Sequence, residues 1–387
     1  MSLFSDGKLH IMDGAVATRM PALGMQAGDY APVWIYRHPE AYRQVARSYI
    51  ENGAELLYAP TFGATAPQLK KHRARVKLRE LNTALLSMAR EAADGRPVGG
   101  TLSPTGLSLF PFGDTAFEEL VSCFTEQAAA LDEAGADFFA IESQTSLAEC
   151  RAAVIAVRSL SDKPIFVSFT CGETGRTPYG ESLNCALLCL QDMGVSAFGI
   201  NDCGSLGRIT RLLNSMTPYA RVPLLARPKA GEPTLTPTGV QSYKMSPQRP
   251  AGSMPRWVEA GARFIGGCSG TDERFIAAMR AVADGLTVEA PPEREPVAYA
   301  ASAYRVQRLS SRLHVEELEI NDDLAENANI CEETGTRLLR LRLRDEESLD
   351  ILEDAQFYLQ LPIAVSCDDP ALLSGFLRRY HGKPILL

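Results

Sequence analysis

Phe117–Glu142 reads FEELVSCFTEQAAALDEAGADFFAIE. Its opening stretch, Phe117–Ala134, carries apolar side chains at i, i+3 and i+4 spacing, the period of an amphipathic helix. Gly135 follows, the residue on which helices commonly turn left-handed and stop. Asp137–Glu142 is then a short apolar run with the character of a buried strand, and it ends on a carboxylate. The same junction recurs twice. Glu51-Asn52-Gly53-Ala54 leads into Leu56–Pro60, and Glu259-Ala260-Gly261-Ala262 leads into Arg263–Gly267. Three copies of helix, glycine, alanine, strand are what a relay of strand–helix–strand units produces.

The rest of the first 289 residues fits that relay. Strand-like runs stand at His10–Ala15, Leu56–Pro60, Val98–Leu102, Asp137–Glu142, Pro164–Thr170, Ala197–Asn201, Val222–Ala226 and Arg263–Gly267. Helical periodicity is clearest at Ala41–Asn52, Phe117–Ala134, Leu147–Leu160, Ser182–Met193 and Glu273–Asp284. Strand–helix units in this number and length suit a (β/α)8 TIM barrel, whose typical size is ~250 residues. An open doubly wound sheet is the competing fold, but it calls for Gly-x-Gly-x-x-Gly after the first strand. The chain has Asp13-Gly14-Ala15-Val16-Ala17-Thr18 there.

Glu289–Pro296 is proline and charge with nothing to bury, so a linker is assigned to residues 290–297. Residues 298–387 have a different texture. Arg337–Leu343 and Pro362–Ser366 are strand-like, and Glu346–Leu359 and Pro370–Tyr380 helix-like. The expectation is an α/β protein: a barrel over 1–289, then a small incomplete α/β domain over 298–387.

Composition narrows the function. The net charge is −8, and no basic block exceeds Lys70-Lys71-His72-Arg73, which argues against nucleic acid and anionic membranes as partners. No apolar run is long enough to span a bilayer, and the N-terminus has no signal-peptide pattern. Nine cysteines suit a reducing cytoplasm better than a disulfide scaffold.

In such barrels the chemistry sits on the C-terminal strand ends and the loops after them. Asp13 and Glu142 end two different strands and could together hold an ammonium group by charge-assisted hydrogen bonds. Cys171, Cys203 and Cys268 fall just past strands five, six and eight. Thiolates converging from separate strands can bind Zn²⁺ and leave one position open. Cysteine is also a good small core residue, the simpler reading for Cys123, Cys150, Cys185 and Cys189 on helix-like stretches. Lys229–Gly252 reads as a long loop after strand seven, either a lid or an insertion. A metal-free lyase would need a Schiff-base lysine, and Lys229 is the lysine best placed for it.

These rim motifs, in order from residue 11 to about 271, resemble those of the homocysteine S-methyltransferases, above all the homocysteine-binding barrel of cobalamin-dependent methionine synthase. The family's opening Asp-Gly-Ala-Met-Gly-Thr is similar to Asp13–Thr18, its Thr-Phe-Gly-Ala to Thr61–Ala64, and its Gly-Pro-Thr-Gly to Ser103–Gly106. Its Glu-Thr corresponds to Glu142-Ser143 and its Pro-Asn-Ala-Gly to Pro228-Lys229-Ala230-Gly231. The resemblance implies an enzyme that moves a methyl group to the thiol of homocysteine or a related thiol, through a zinc-bound thiolate. It implies substrate contacts at Asp13, Gly14, Ala15, Thr61 and Glu142, with Asp13 and Glu142 on the amino group.

The chain departs from the family at the metal ligands. The strand-six Gly-Ile-Asn-Cys is here Gly199-Ile200-Asn201-Asp202, with Cys203 one place late. The strand-eight Gly-Gly-Cys-Cys is here Gly266-Gly267-Cys268-Ser269. The implied zinc ligands are therefore Cys203 and Cys268, with the third among Asp202, Cys171 and Ser269. The alternative is a non-catalytic or metal-free barrel that binds an amino-acid ligand or a corrinoid or pterin protein partner. Leu361–Pro370 and His381–Leu387 resemble a portion of the pterin-binding barrel that follows in methionine synthase. So partial a unit is not expected to hold methyltetrahydrofolate, and no cobalamin module is expected in this chain. The methyl donor would then be a separate methyl-corrinoid protein or a small methylated compound.

Overall fold

The computed structural model describes Phe4 and residues 7–235, 241–288 and 297–387. Eight strands form one sheet: β1 (His10–Ile11), β2 (Leu57–Tyr58), β3 (Val98–Leu102), β4 (Phe138–Gln144), β5 (Ile165–Phe169), β6 (Ala197–Asn201), β7 (Leu224–Arg227) and β8 (Ala262–Ile265). Every pairing between neighbours is parallel, and β1 lies against β8. The two ends of the sheet meet at a parallel bridge between Met12 and Leu56, where the Glu55 amide donates to the Ile11 carbonyl at 2.7 Å. The sheet therefore curls round on itself, as a TIM-type α/β barrel does.

Strand residues alternate between two apolar layers, as a pleat requires. Met12, Tyr58, Phe138, Ala140, Phe166, Leu225 and Phe264 form one cluster, against which the Phe4 ring packs edge-on or tilted. Phe139, Ile141, Val167, Phe198 and Ile200 belong to the other, larger layer with Leu85, Phe124, Leu131 and Leu213 from the helices. Gly53, Gly135 and Gly261 all have φ between 86° and 102°, the left-handed conformation that stops their helices before the next strand. Gly199 has a different task. A Cβ there would lie 1.9 Å from the Leu225 carbonyl oxygen of the adjoining strand. Gly199→Ala must push β6 and β7 away from each other in the core, and it is expected to cost about 3 kcal/mol. Urea denaturation would show this as a lower midpoint at unchanged slope.

The segment after β7 differs from expectation. Thr234–Leu235 and Gln241–Ser242 pair as a short antiparallel hairpin, and a helix already begins at Gln248. The loop expected to run to Gly252 is shorter because Pro250 is accommodated in the first turn of that helix, where a missing N–H costs nothing.

Of the expected linker 290–297, all but Val297 lies outside the described residues. Beyond it, Val315–Leu318, Leu338–Leu343, Ile363–Cys367 and Ile385–Leu386 form a four-stranded parallel sheet in that order, with helices Leu324–Glu333, Glu346–Ala355 and Pro370–Arg379. This unit has its own core of Leu339, Leu341, Leu352, Ile363, Val365 and Phe376. It is tied to the barrel helices by polar contacts. Arg378 pairs bidentately with Glu118, and the nearly buried Arg151 donates to the Leu377 carbonyl at 2.8 Å. Among the described residues, no helix is long and apolar enough to cross a membrane.

Candidate functional site

The C-terminal ends of the barrel strands surround a cavity of about 210 Å³. Its lining includes Asp13, Gly14, Ala15, Tyr58, Phe62, Thr101, Glu142, Ser143, Arg227, Cys268 and Ser269, with an apolar wall from Ala31, Pro32 and Ile35. Few converging polar groups in a largely apolar cleft is the usual form of a small-molecule site.

Asp13 and Glu142 do come together, through a residue that sequence reasoning left out. Arg227, at the end of β7, donates from Nη2 to Asp13 Oδ1 at 2.8 Å, and its Nη1 lies 3.3 Å from Glu142 Oε1. Its Nε donates to the Gly267 carbonyl at 3.0 Å, and the guanidinium sits 4.3 Å from the centre of the Tyr58 ring. The second Asp13 oxygen accepts from the Tyr58 amide at 2.8 Å. Asp13 and Arg227 are almost wholly buried. Burial pushes the Asp13 carboxyl up to about 6, although Arg227 and the Tyr58 amide pull the other way. Two carboxylates and one guanidinium leave one net negative charge, which suits a single ligand ammonium. The signal for Arg227 was present in Leu224-Leu225-Ala226-Arg227: an arginine ending an otherwise apolar barrel strand needs buried carboxylates to meet.

The loop after β1 is held rigidly. The Ala15 amide donates to Thr271 Oγ1 at 3.1 Å, and the Gly270 amide to Thr18 Oγ1 at 3.0 Å. The Tyr49 hydroxyl donates to the Ala15 carbonyl, and its ring fills the space beside Gly14, where a Cβ would come within 2.8 Å of it. Thr61, expected to touch substrate, is fully buried and is not among the residues that line the cavity. Its hydroxyl donates to the Thr101 carbonyl at 2.8 Å and accepts from the Thr101 amide at 2.9 Å, locking β2 to β3. Its neighbour Phe62 lines the cavity.

The cysteines divide into two places. Cys171 and Cys203 face each other with sulfurs 3.4 Å apart, and the Cys171 amide donates to Cys203 Sγ at 3.3 Å. The Cys171 sulfur, together with burial, pushes the Cys203 thiol up. Cys268 lines the cavity, with the side-chain Nδ2 of Asn201 3.7 Å and Ser269 Oγ 3.9 Å from its sulfur. Burial and the nearby Glu142 push its thiol up to about 11, against the pull of Arg227. Asp202 takes φ +53° at the turn out of β6, and Ser269 Oγ donates to its Oδ2 at 3.5 Å. That left-handed turn sends Cys203 toward Cys171 and leaves Asp202 beside Ser269. Ser143, next to Glu142, is also left-handed at φ +60° and accepts from Asn201 Nδ2 at 2.5 Å. Backbone strain of this kind clusters at binding sites.

The family model for homocysteine S-methyltransferase matches residues 10–283. The chain belongs to the homocysteine S-methyltransferase family. That is a family of methyltransferase enzymes, and the match covers the barrel and its rim. Methionine synthase of Mycobacterium tuberculosis is 27% identical over 314 residues, 76% of this chain and 26% of the relative. The homocysteine S-methyltransferase YbgG of Bacillus subtilis is 27% identical over 302 residues, 72% of this chain and 95% of the relative. The metallated form of the homocysteine methyltransferase MmuM from Escherichia coli superposes with a TM-score of 0.60 at 25% identity, covering 71% of this chain and 96% of that one. The chain thus spans about a quarter of the methionine synthase and nearly the whole of YbgG and MmuM.

A homocysteine S-methyltransferase resembling methionine synthase is expected to gather three thiolates on zinc. The donors of this chain do not fit that set. Among the described residues no three His, Cys, Asp or Glu side chains are grouped as metal ligands. The thiol of Cys203 is engaged with Cys171, and the remaining candidates are one thiol, one hydroxyl and one carboxylate. Zinc favours thiolate and imidazole, and a neutral hydroxyl beside them is a poor donor.

Proposed function

We propose that the barrel mouth binds homocysteine, or a closely related thiol amino acid, and that the chain transfers a methyl group to its sulfur. The observation that carries this reading is the Asp13–Arg227–Glu142 cluster. It offers one net negative charge inside a small cavity, with Cys268 and Ser269 lining the same cavity. The ligand's ammonium would sit on Glu142 and Asp13, and its thiol end would reach toward Cys268 and Ser269. The family's names describe homocysteine methylation, which is the reaction this geometry suits. In that reaction the sulfur bonds to the methyl carbon, the donor leaves with the electrons of its old bond, and the thiol proton passes to solvent water. The donor is assigned to a separate methyl-corrinoid protein or a small methylated compound. Residues 298–387 are read as a partial pterin-type unit that packs against the barrel. The donors at Cys268, Ser269 and Asp202 do not suit a zinc-bound thiolate.

Methionine formation tests the reading. The chain would be supplied with homocysteine and either S-methylmethionine or methylcobalamin, and the product followed by mass spectrometry. Methionine from one donor, dependent on the protein, is the expected result. Homocysteine binding without methionine from any donor would favour the second reading, a metal-free barrel that binds an amino acid without transferring methyl groups. The ungrouped metal donors are what favour that second reading. Absence of binding would overturn both.

Affinity should also depend on pH. The ammonium needs an ionised Asp13, whose carboxyl titrates at about 6 in the empty site. Above that pH the carboxylate is charged and binding is strong. As pH falls through it, affinity should drop by about tenfold per unit. Calorimetric titration across about pH 5–8 would check this. A flat profile would remove Asp13 from the ammonium site.

A further inference from the structure

The family pattern places its metal-binding cysteines at three positions that this chain fills with Asp202, Cys268 and Ser269. The fold still brings them together, since Ser269 Oγ lies 3.9 Å from Cys268 Sγ and 3.5 Å from Asp202 Oδ2. Beside them is a cation that the chain itself supplies. Lys229, in the turn after β7, takes the place of the asparagine of the family's Pro-Asn-Ala-Gly. Its Nζ lies 3.5 Å from Asp202 Oδ1 and 3.0 Å from Glu232 Oε1, and its side chain is only 15% exposed. The contact to Asp202 is an ion pair too long to count as a good hydrogen bond.

The turn that carries Lys229 is built into the site. The Cys268 amide donates to the Pro228 carbonyl at 2.9 Å, and the Ala230 amide to the Ser269 carbonyl at 2.8 Å. Lys229 is therefore fixed between two backbone hydrogen bonds to the loop that holds Cys268 and Ser269. A divalent cation coordinated by Asp202 would have to share that carboxylate with the ammonium, against like-charge repulsion in a partly desolvated corner. Asp202 is also the one charged donor at the three positions.

We propose that the Lys229 ammonium has replaced the metal: it supplies the positive charge at this corner, orients Asp202 against Ser269, and makes the site one that excludes zinc. Lys229 does not line the cavity, so it acts through Asp202 and Ser269 as a positioning residue. The exclusion of zinc stands whether or not homocysteine is the ligand.

The test is zinc affinity of the full reduced chain, measured by competition with a chromophoric chelator. The native protein is expected to bind no zinc stoichiometrically. Asp202→Cys with Ser269→Cys restores the family's ligands but keeps the lysine. Adding Lys229→Asn to that pair is expected to raise zinc affinity at least tenfold, whereas adding Lys229→Arg, which keeps the cation, is not. Ser269→Cys alone supplies a second thiol and keeps Asp202, and adding Lys229→Asn to it should raise zinc affinity in the same direction, which gives the reading if the double-cysteine variants fail to fold. One tightly held zinc per native chain, or no gain on removing Lys229, would overturn the proposal. Homocysteine titrated into the chelator-treated native chain is the parallel measurement. Its failure would sink the proposed substrate and leave the zinc result to decide the role of Lys229.

Discussion

Arg227→Met is expected to destabilise the protein by about 3–5 kcal/mol, the usual cost of removing one partner from a buried charge cluster. The guanidinium is the only cation the structure places against Asp13 or Glu142 among the described residues. Without it, Asp13 keeps the Tyr58 amide as its one resolved hydrogen-bond donor and faces Glu142 across the cavity. Methionine roughly fills the volume, so the loss would be electrostatic rather than a cavity effect. The signature is its pH dependence. With the arginine gone, the Asp13 carboxyl should rise further above its present value of about 6. A raised carboxyl contributes stability that is present at low pH and lost as pH climbs through the folded-state value. The gap between variant and native protein should therefore be largest at neutral and alkaline pH and narrow toward about pH 5. Urea midpoints at two pH values would show it. An equal gap at both would mean that packing, not charge, was lost.

Glu142→Gln should act on the ligand rather than on the fold. Glu142 is the more accessible carboxylate of the pair, with its side chain 13% exposed against 1% for Asp13. It pairs with Arg227 at 3.3 Å, a looser contact than the 2.8 Å bond to Asp13. Glutamine keeps the shape and the acceptor oxygen but cancels the cluster's net negative charge. Removing one member of a buried charge pair costs about 2–5 kcal/mol of binding, so homocysteine affinity should fall by roughly thirtyfold or more. Thermal stability should change little. A variant that binds homocysteine normally would show that the ammonium lies elsewhere.

Most of the barrel was legible because its signals are local. Val98–Leu102 and Ala197–Asn201 are strands over the whole range that apolar patterning marks, and the helix ends at Gly53, Gly135 and Gly261 stop where a left-handed residue is supplied. β1 is shorter than its apolar run because the chain leaves the ladder at Asp13, whose side chain takes the Tyr58 amide. The helix Gln248–Glu259 was hidden by Pro250 and Pro255, which local rules read as breakers although the first turn tolerates one.

The site was legible as a list of residues but not as a set of partners. Asp13 and Glu142 could be named from strand ends. Their bridging by Arg227 is a contact between residues 214 positions apart, which no local pattern carries. Thr61 shows a related limit. A threonine at a strand end can face the mouth or the neighbouring backbone, and the Thr101 peptide decides in favour of the backbone. The cysteines show the same limit most sharply. Asp202 stands where the family pattern has its cysteine, and its turn at φ +53° leaves Cys203, one place later, in the core beside Cys171.

The most direct test of the account is a calorimetric comparison of homocysteine with 4-mercaptobutyrate, which lacks only the amino group, on the chelator-treated protein at about pH 8, well above the Asp13 titration. The cluster of Asp13, Arg227 and Glu142 predicts saturable homocysteine binding at one site and at least tenfold weaker binding of the deaminated thiol. Equal affinities, or no binding of homocysteine, would contradict the assignment of this cavity as an amino-acid site.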